Sequence, residues 1–144
     1  GFIVKAFPEA KIIHLKRDPK AICWSNYKTN FSQNGLGFSN NLEDLANYYK
    51  LYEELMIFWH KKFPNKIYDL QYEILTTNQE LETRKLLDYC NLNWDENCLH
   101  FYNNKRSVLT ASKDQVRGKM YQGSSEAWKK YKSNLKTLIE GLKP

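Results

Sequence analysis

The sequence predicts an α/β fold, mostly helical, with a small parallel sheet. Three observations carry that prediction. Two short apolar runs, Lys11–Leu15 (KIIHL) and Lys66–Tyr72 (KIYDLQY), have the length of buried strands. Between them, Leu42–Phe63 repeats apolar residues at helical spacing. A strand, a long helical crossover and a second strand form the unit from which parallel sheets are built. Two strands do not make a stable parallel sheet by themselves, because such sheets are covered on both faces. Residues 1–144 are therefore expected to form a single domain that is part of a larger α/β unit.

The first strand runs straight into Lys16-Arg17-Asp18-Pro19. Asp18 suits an N-cap and Pro19 the first helical position, so a helix is expected from Pro19 to Thr29. The Asn-, Ser- and Gly-rich stretch 30–41 reads as a loop. In the long helix, Leu45, Tyr48, Tyr49, Tyr52, Leu55, Met56, Trp59 and Phe63 make one broad stripe expected to pack in the core, with Asn41 as cap and Pro64 as stop. After the second strand, Thr77-Asn78-Gln79-Glu80 has the form of a capping box opening a helix from Asn78 to Cys90, which Asn91 closes. Asp95–Tyr102 reads as a short helix, and Ser125–Leu142 as a last one with Trp128, Tyr131, Leu135, Leu138, Ile139 and Leu142 on its apolar face.

Composition narrows the class without naming a function. Hydrophobic residues at 42% and charged residues at 26% describe a folded domain rather than a disordered chain. Most of the ten Tyr, seven Phe and four Trp are expected to fill the core. The net charge of +6 favours anionic partners, but its Lys residues are scattered and no nucleic-acid-binding motif occurs. A basic nucleic-acid module is thus the weaker rival, and neither nucleic acid nor membrane is an expected partner. Cys23, Cys90 and Cys98 are widely spaced and lack a CxxC pair, so reduced thiols and no metal are expected, in keeping with a cytoplasmic protein. No apolar run has the length of a membrane span.

Two segments carry candidate chemistry. Arg17 is placed at the carboxyl end of a strand, the edge where open α/β sheets bind ligands. Arg17, Ala21, Ser25 and Thr29 recur every four residues and so share one side. A guanidinium and a hydroxyl so placed can grip a phosphate. The second segment, Lys105–Tyr121 (KRSVLTASKDQVRGKMY), combines basic groups with hydroxyls at Ser107, Thr110 and Ser112. A long polar loop of this kind is often functional.

At these two segments the chain resembles a known family. Lys11–Tyr27 (KIIHLKRDPKAICWSNY) is similar to the strand and helix that hold the 3′-phosphate in sulfotransferases using the nucleotide donor PAPS. Asn103–Tyr131 (NNKRSVLTASKDQVRGKMYQGSSEAWKKY) resembles the C-terminal signature of bacterial sulfotransferases often fused to tetratricopeptide repeats, themselves similar to protein-tyrosine sulfotransferases. The resemblance implies a partial P-loop-type three-layer domain, PAPS as co-substrate, PAP as product and an acceptor bearing a hydroxyl. It implies that Arg17 and Ser25 bind the 3′-phosphate and that Tyr72 stands near the nucleotide. It implies a covering loop that begins at Ser112, a possible transition-state contact, and continues through Gln115, Val116 and Arg117, with Lys119 adding charge. Trp128 matches the family's Trp, which closes the motif and starts the last helix.

The chain also departs from the family pattern. Gly118-Lys119 stands where relatives carry a basic or amide residue and then Pro, Ala127 replaces a basic residue, and Thr29 replaces an Arg found in some relatives. The family's phosphate loop, whose backbone N–H groups cradle the 5′-phosphosulfate, has no counterpart in the opening GFIVKAFPEAK. Nor is its catalytic Glu or His found there, and His14 and His60, in a strand and near a helix end, are not replacements. The chain is accordingly expected to be the C-terminal part of a sulfotransferase domain, inactive alone, with a possible homodimer through an uncovered face.

Overall fold

The computed structural model describes residues 1–29, 31, 35–107 and 117–143. Its elements run in the order α1 (Phe2–Ala6), β1 (Ile12–Lys16), α2 (Pro19–Tyr27), α3 (Leu42–Lys62), β2 (Ile67–Gln71), α4 (Tyr72–Thr77), α5 (Gln79–Cys90) and α6 (Lys136–Gly141). Short 3-10 helices occupy Gly37–Asn40, Glu96–Cys98, Phe101–Asn103 and Ser124–Tyr131. β1 and β2 pair in parallel, with Ile12 opposite Ile67 and Lys16 opposite Gln71. The predicted α/β class holds: a mostly helical chain carries a two-stranded parallel sheet.

Local chemistry accounts for the boundaries. The Asp18 carboxylate accepts the Ala21 N–H at 2.8 Å and caps α2, which Pro19 opens. The Asn41 side chain accepts from the backbone N–H groups of Glu43 and Asp44 and caps α3. Asn91 closes α5 with φ 57°, the left-handed conformation that Asn tolerates. Parallel pairing puts alternate residues on opposite faces. His14 and Asp69 meet Tyr52 and His60 of α3 on one face. On the other, Tyr68 stacks on Tyr89 of α5, ring centroids 4.9 Å apart.

Several expectations are corrected. α4 follows β2 without a break, and Asn78 both ends α4 and precedes α5. The Thr77 hydroxyl donates back to the Glu73 carbonyl, so it is unavailable to cap and the capping box does not form. Ser125–Leu142 is not one helix. A 3-10 segment repeats every three residues, which puts Ser125 and Trp128 in one buried row, and the chain then turns before α6 carries Leu138 into the core. α1 has no fully buried residue, and accordingly no apolar periodicity announced it.

The core lies between helices rather than under the sheet. Ala21 and Cys23 of α2, Leu45 and Ala46 of α3, and Trp128, Leu135 and Leu138 form one buried cluster. The α3 stripe is only partly core. Leu45 is buried, but Tyr48 is 54% and Leu55 51% exposed, because α2, α6 and two strands cover too little of a 21-residue helix. Trp128 is the one aromatic in the buried core among the described residues, so the expectation that most aromatics fill the core is not met.

Candidate functional site

The carboxyl end of β1, the start of α2, the first turn of α4 and the segment 118–127 enclose a cavity of about 750 Å³. Arg17, Ser25, Tyr72 and Lys119 all line it, as does Ala21. These side chains converge because β1 and β2 are in register, so Arg17 and Tyr72 each emerge one residue beyond the end of its strand. α2 then turns back beside them, placing Ala21 and Ser25 one turn apart on the cavity side.

Arg17 is held from behind. Its Nε donates to the Ser125 hydroxyl at 3.2 Å. That hydroxyl donates in turn to Glu73 Oε1 at 2.5 Å, and the Asp18 backbone N–H donates to the same oxygen at 3.0 Å. Burial acts to raise the Glu73 pKa. The Ser125 hydrogen bond, backbone N–H groups and the Arg17 charge outweigh it and hold the carboxyl below its ordinary value. The Arg17 guanidinium also lies 4.9 Å from the centre of the Tyr72 ring, and the Tyr72 hydroxyl is 3.1 Å from the Ser124 hydroxyl. With Nε committed, the two terminal nitrogens of Arg17 have no hydrogen-bond partner among the described residues. A planar fork anchored on one side and open on the other can receive two oxygens of an anion.

Other residues lie elsewhere. Thr29 does not line the cavity, since its hydroxyl donates to the Ser25 carbonyl at 2.7 Å. Arg117 is exposed, and its terminal nitrogen donates to the Arg106 carbonyl rather than into the cavity. Trp128 sits in the core, with the Lys20 ammonium 5.5 Å from its ring centre. Ser112, Gln115 and Val116 lie outside the described residues. Sequence reasoning gave no role to Glu73 and Ser125, which orient Arg17, or to Lys28, Trp24 and Tyr121 on the wall. A carboxylate directly after Tyr72 and a Ser pair directly after Gly123 were the visible signals.

A family model described as the sulfotransferase family matches residues 1–96, which include β1, α2, Tyr72 and Glu73. The chain belongs to the sulfotransferase family. It is also similar to an uncharacterized protein of Aquifex aeolicus (strain VF5), 40% identical over 144 residues. That match covers 99% of this chain and 19% of the Aquifex protein, so the chain spans about a fifth of the length of the relative it matches. Sulfuryl transfer is the general chemistry of that family. Among the described residues, no helix is long and apolar enough to cross a membrane.

Proposed function

We propose that the Arg17 cavity binds the 3′-phosphate of PAPS, and of PAP after transfer, for a sulfotransferase acting on an acceptor hydroxyl. The observation that carries this reading is the anchored guanidinium: Arg17, fixed through Nε, shares one cavity with Ser25, Tyr72 and two further cations, Lys28 and Lys119. Glu73 balances the charge of Arg17, and the two lysines leave the cavity net positive. Trp24, Phe101 and Tyr121 add aromatic surface suited to stacking on a nucleotide base.

In the reaction the acceptor hydroxyl gives its proton to a base as its oxygen attacks sulfur in line, the bond from sulfur to the phosphate oxygen breaks, and PAP departs. The protein's share is positioning and charge stabilisation. On this reading Lys119 adds positive charge over the donor. The 5′-phosphosulfate grip and the base are supplied by residues other than these 144, so the chain alone turns over little or no PAPS. Calorimetry with PAP tests the site: wild type binds, and Arg17→Ala weakens binding by about 1.5–3 kcal/mol, or roughly tenfold to a hundredfold. Equal binding by both, or none by either, removes the assignment.

A second reading rests on exposed apolar surface. Ile13 and Leu15 of β1 are exposed, and an uncovered apolar strand favours association. A second copy of this chain covering β1 predicts a dimer in light scattering, and a monomer at all concentrations excludes it.

A further inference from the structure

On the opposite face of the sheet from Tyr68 and Leu70, three potential metal ligands meet. His14 lies in the middle of β1 and Asp69 is its partner across the sheet in β2. His60 comes from the last turn of α3. The turn joining α3 to β2, with Asn65 left-handed at φ 62°, returns the chain so that His60 overlies Asp69. His14 Nδ1 is 2.8 Å and His60 Nε2 3.1 Å from the same oxygen, Asp69 Oδ1. All three donor atoms lie within 4.8 Å of one another.

We propose that His14 Nδ1, His60 Nε2 and Asp69 form a binding site for a single zinc ion, with the Tyr52 hydroxyl as its outer partner. Two imidazoles and one carboxylate suit zinc, whereas calcium and magnesium take oxygen ligands. Zinc bonds of about 2.0–2.2 Å require the donors to draw closer than they stand. The ligands are partly exposed, so their side chains have room to close. Three protein ligands leave the fourth tetrahedral position to water.

The outer shell is already in place. Ligating imidazoles characteristically use their second nitrogen in a hydrogen bond that fixes the ring. His14 Nε2 is hydrogen-bonded to the Tyr52 hydroxyl, which leaves Nδ1 for the metal. In the neutral tautomer that carries its hydrogen on Nδ1, His14 would donate to Asp69 and accept the Tyr52 O–H at Nε2. With metal, Nδ1 gives its lone pair to the ion, and Nε2–H donates to the Tyr52 oxygen. Lys16 Nζ lies 3.9 Å from Asp69 Oδ2, which favours Oδ1 as the ligating atom. The site stands on the α3 face, involves none of the residues lining the Arg17 cavity, and would tie the end of α3 to the centre of both strands.

Zinc titration of the untagged 144-residue chain tests this, by calorimetry and by melting temperature at neutral pH. One zinc per chain and a raised melting temperature are expected. His60→Gln and Asp69→Asn should lose both effects while melting cooperatively without zinc. Tyr52→Phe, which keeps every ligand, should weaken binding by roughly 10–100-fold. Cobalt in place of zinc should give visible tetrahedral bands without thiolate charge transfer, and Cys90→Ser with Cys98→Ser should leave zinc binding unchanged. The proposal is overturned if wild type takes up no zinc, if His60→Gln and Asp69→Asn bind as wild type does, or if binding follows the cysteines.

Discussion

The Arg17 Nε donates to the Ser125 hydroxyl at 3.2 Å, across 108 positions of sequence. This bond joins the first strand to the C-terminal segment, and through Glu73 it reaches the end of the second strand. The guanidinium is thereby oriented before any ligand arrives.

Arg17→Lys should therefore recover only part of the PAP affinity lost in Arg17→Ala. An ammonium keeps the charge but cannot occupy Ser125 and present a planar fork at the same time. Ser125→Ala should weaken PAP binding by a smaller factor than Arg17→Ala, by freeing the guanidinium to move. Calorimetry on the three variants gives the order. Ser125→Ala weakening binding more than Arg17→Ala would show that Ser125 does more than orient.

The acid limb of stability should depend on Glu73. Its folded pKa lies below the ordinary 4.5, so its contribution is fully present above that value and is lost as pH falls through the folded pKa. Glu73→Gln should flatten the loss of denaturant stability below about pH 4.5. Parallel acid profiles for variant and wild type would remove Glu73 from the account.

Cys23 should be the slowest of the three cysteines to alkylate. Burial first, then the charges of Asp18 and Glu53, push its thiol pKa up to about 12. At mildly alkaline pH almost no thiolate forms, and the side chain is buried as well. Iodoacetamide followed by peptide mass mapping should find Cys90 and Cys98 modified first. Early modification of Cys23 would show that the α2–α3 contact opens readily.

Gly141→Ala should destabilise the chain although alanine is the better helix former. Propensity alone would favour alanine by about 0.8–1.0 kcal/mol. A β-carbon at Gly141, however, would stand 2.7 Å from the β-carbon of Ala46 on α3. That neighbour is tied to helical backbone and cannot rotate away, so overpacking of about 1–3 kcal/mol wins. Leu138→Ala, at a fully buried position of the same contact, should cost about 2–5 kcal/mol. Urea unfolding measures both, and a stabilised Gly141→Ala would mean that α6 moves off α3.

The local elements are legible in the order of the residues. Asp18-Pro19, Asn41 and Asn91 mark the ends of α2, α3 and α5 because capping and left-handed backbone are properties of a few adjacent residues. Strand–helix–strand order likewise announced a parallel pair, and Arg17 at a strand end could be singled out before any coordinates. Which groups share a site is set by packing. Spacing placed Thr29 beside Ser25, but a hydroxyl that bonds to its own helix leaves the cavity, and nothing local distinguishes the two. Glu73 and Ser125 acquire their role from a contact spanning 52 residues, and His14, His60 and Asp69 come together only once β1, α3 and β2 have packed. Caps depend on neighbours in the chain, whereas sites depend on neighbours in space, and the sequence records only the first directly.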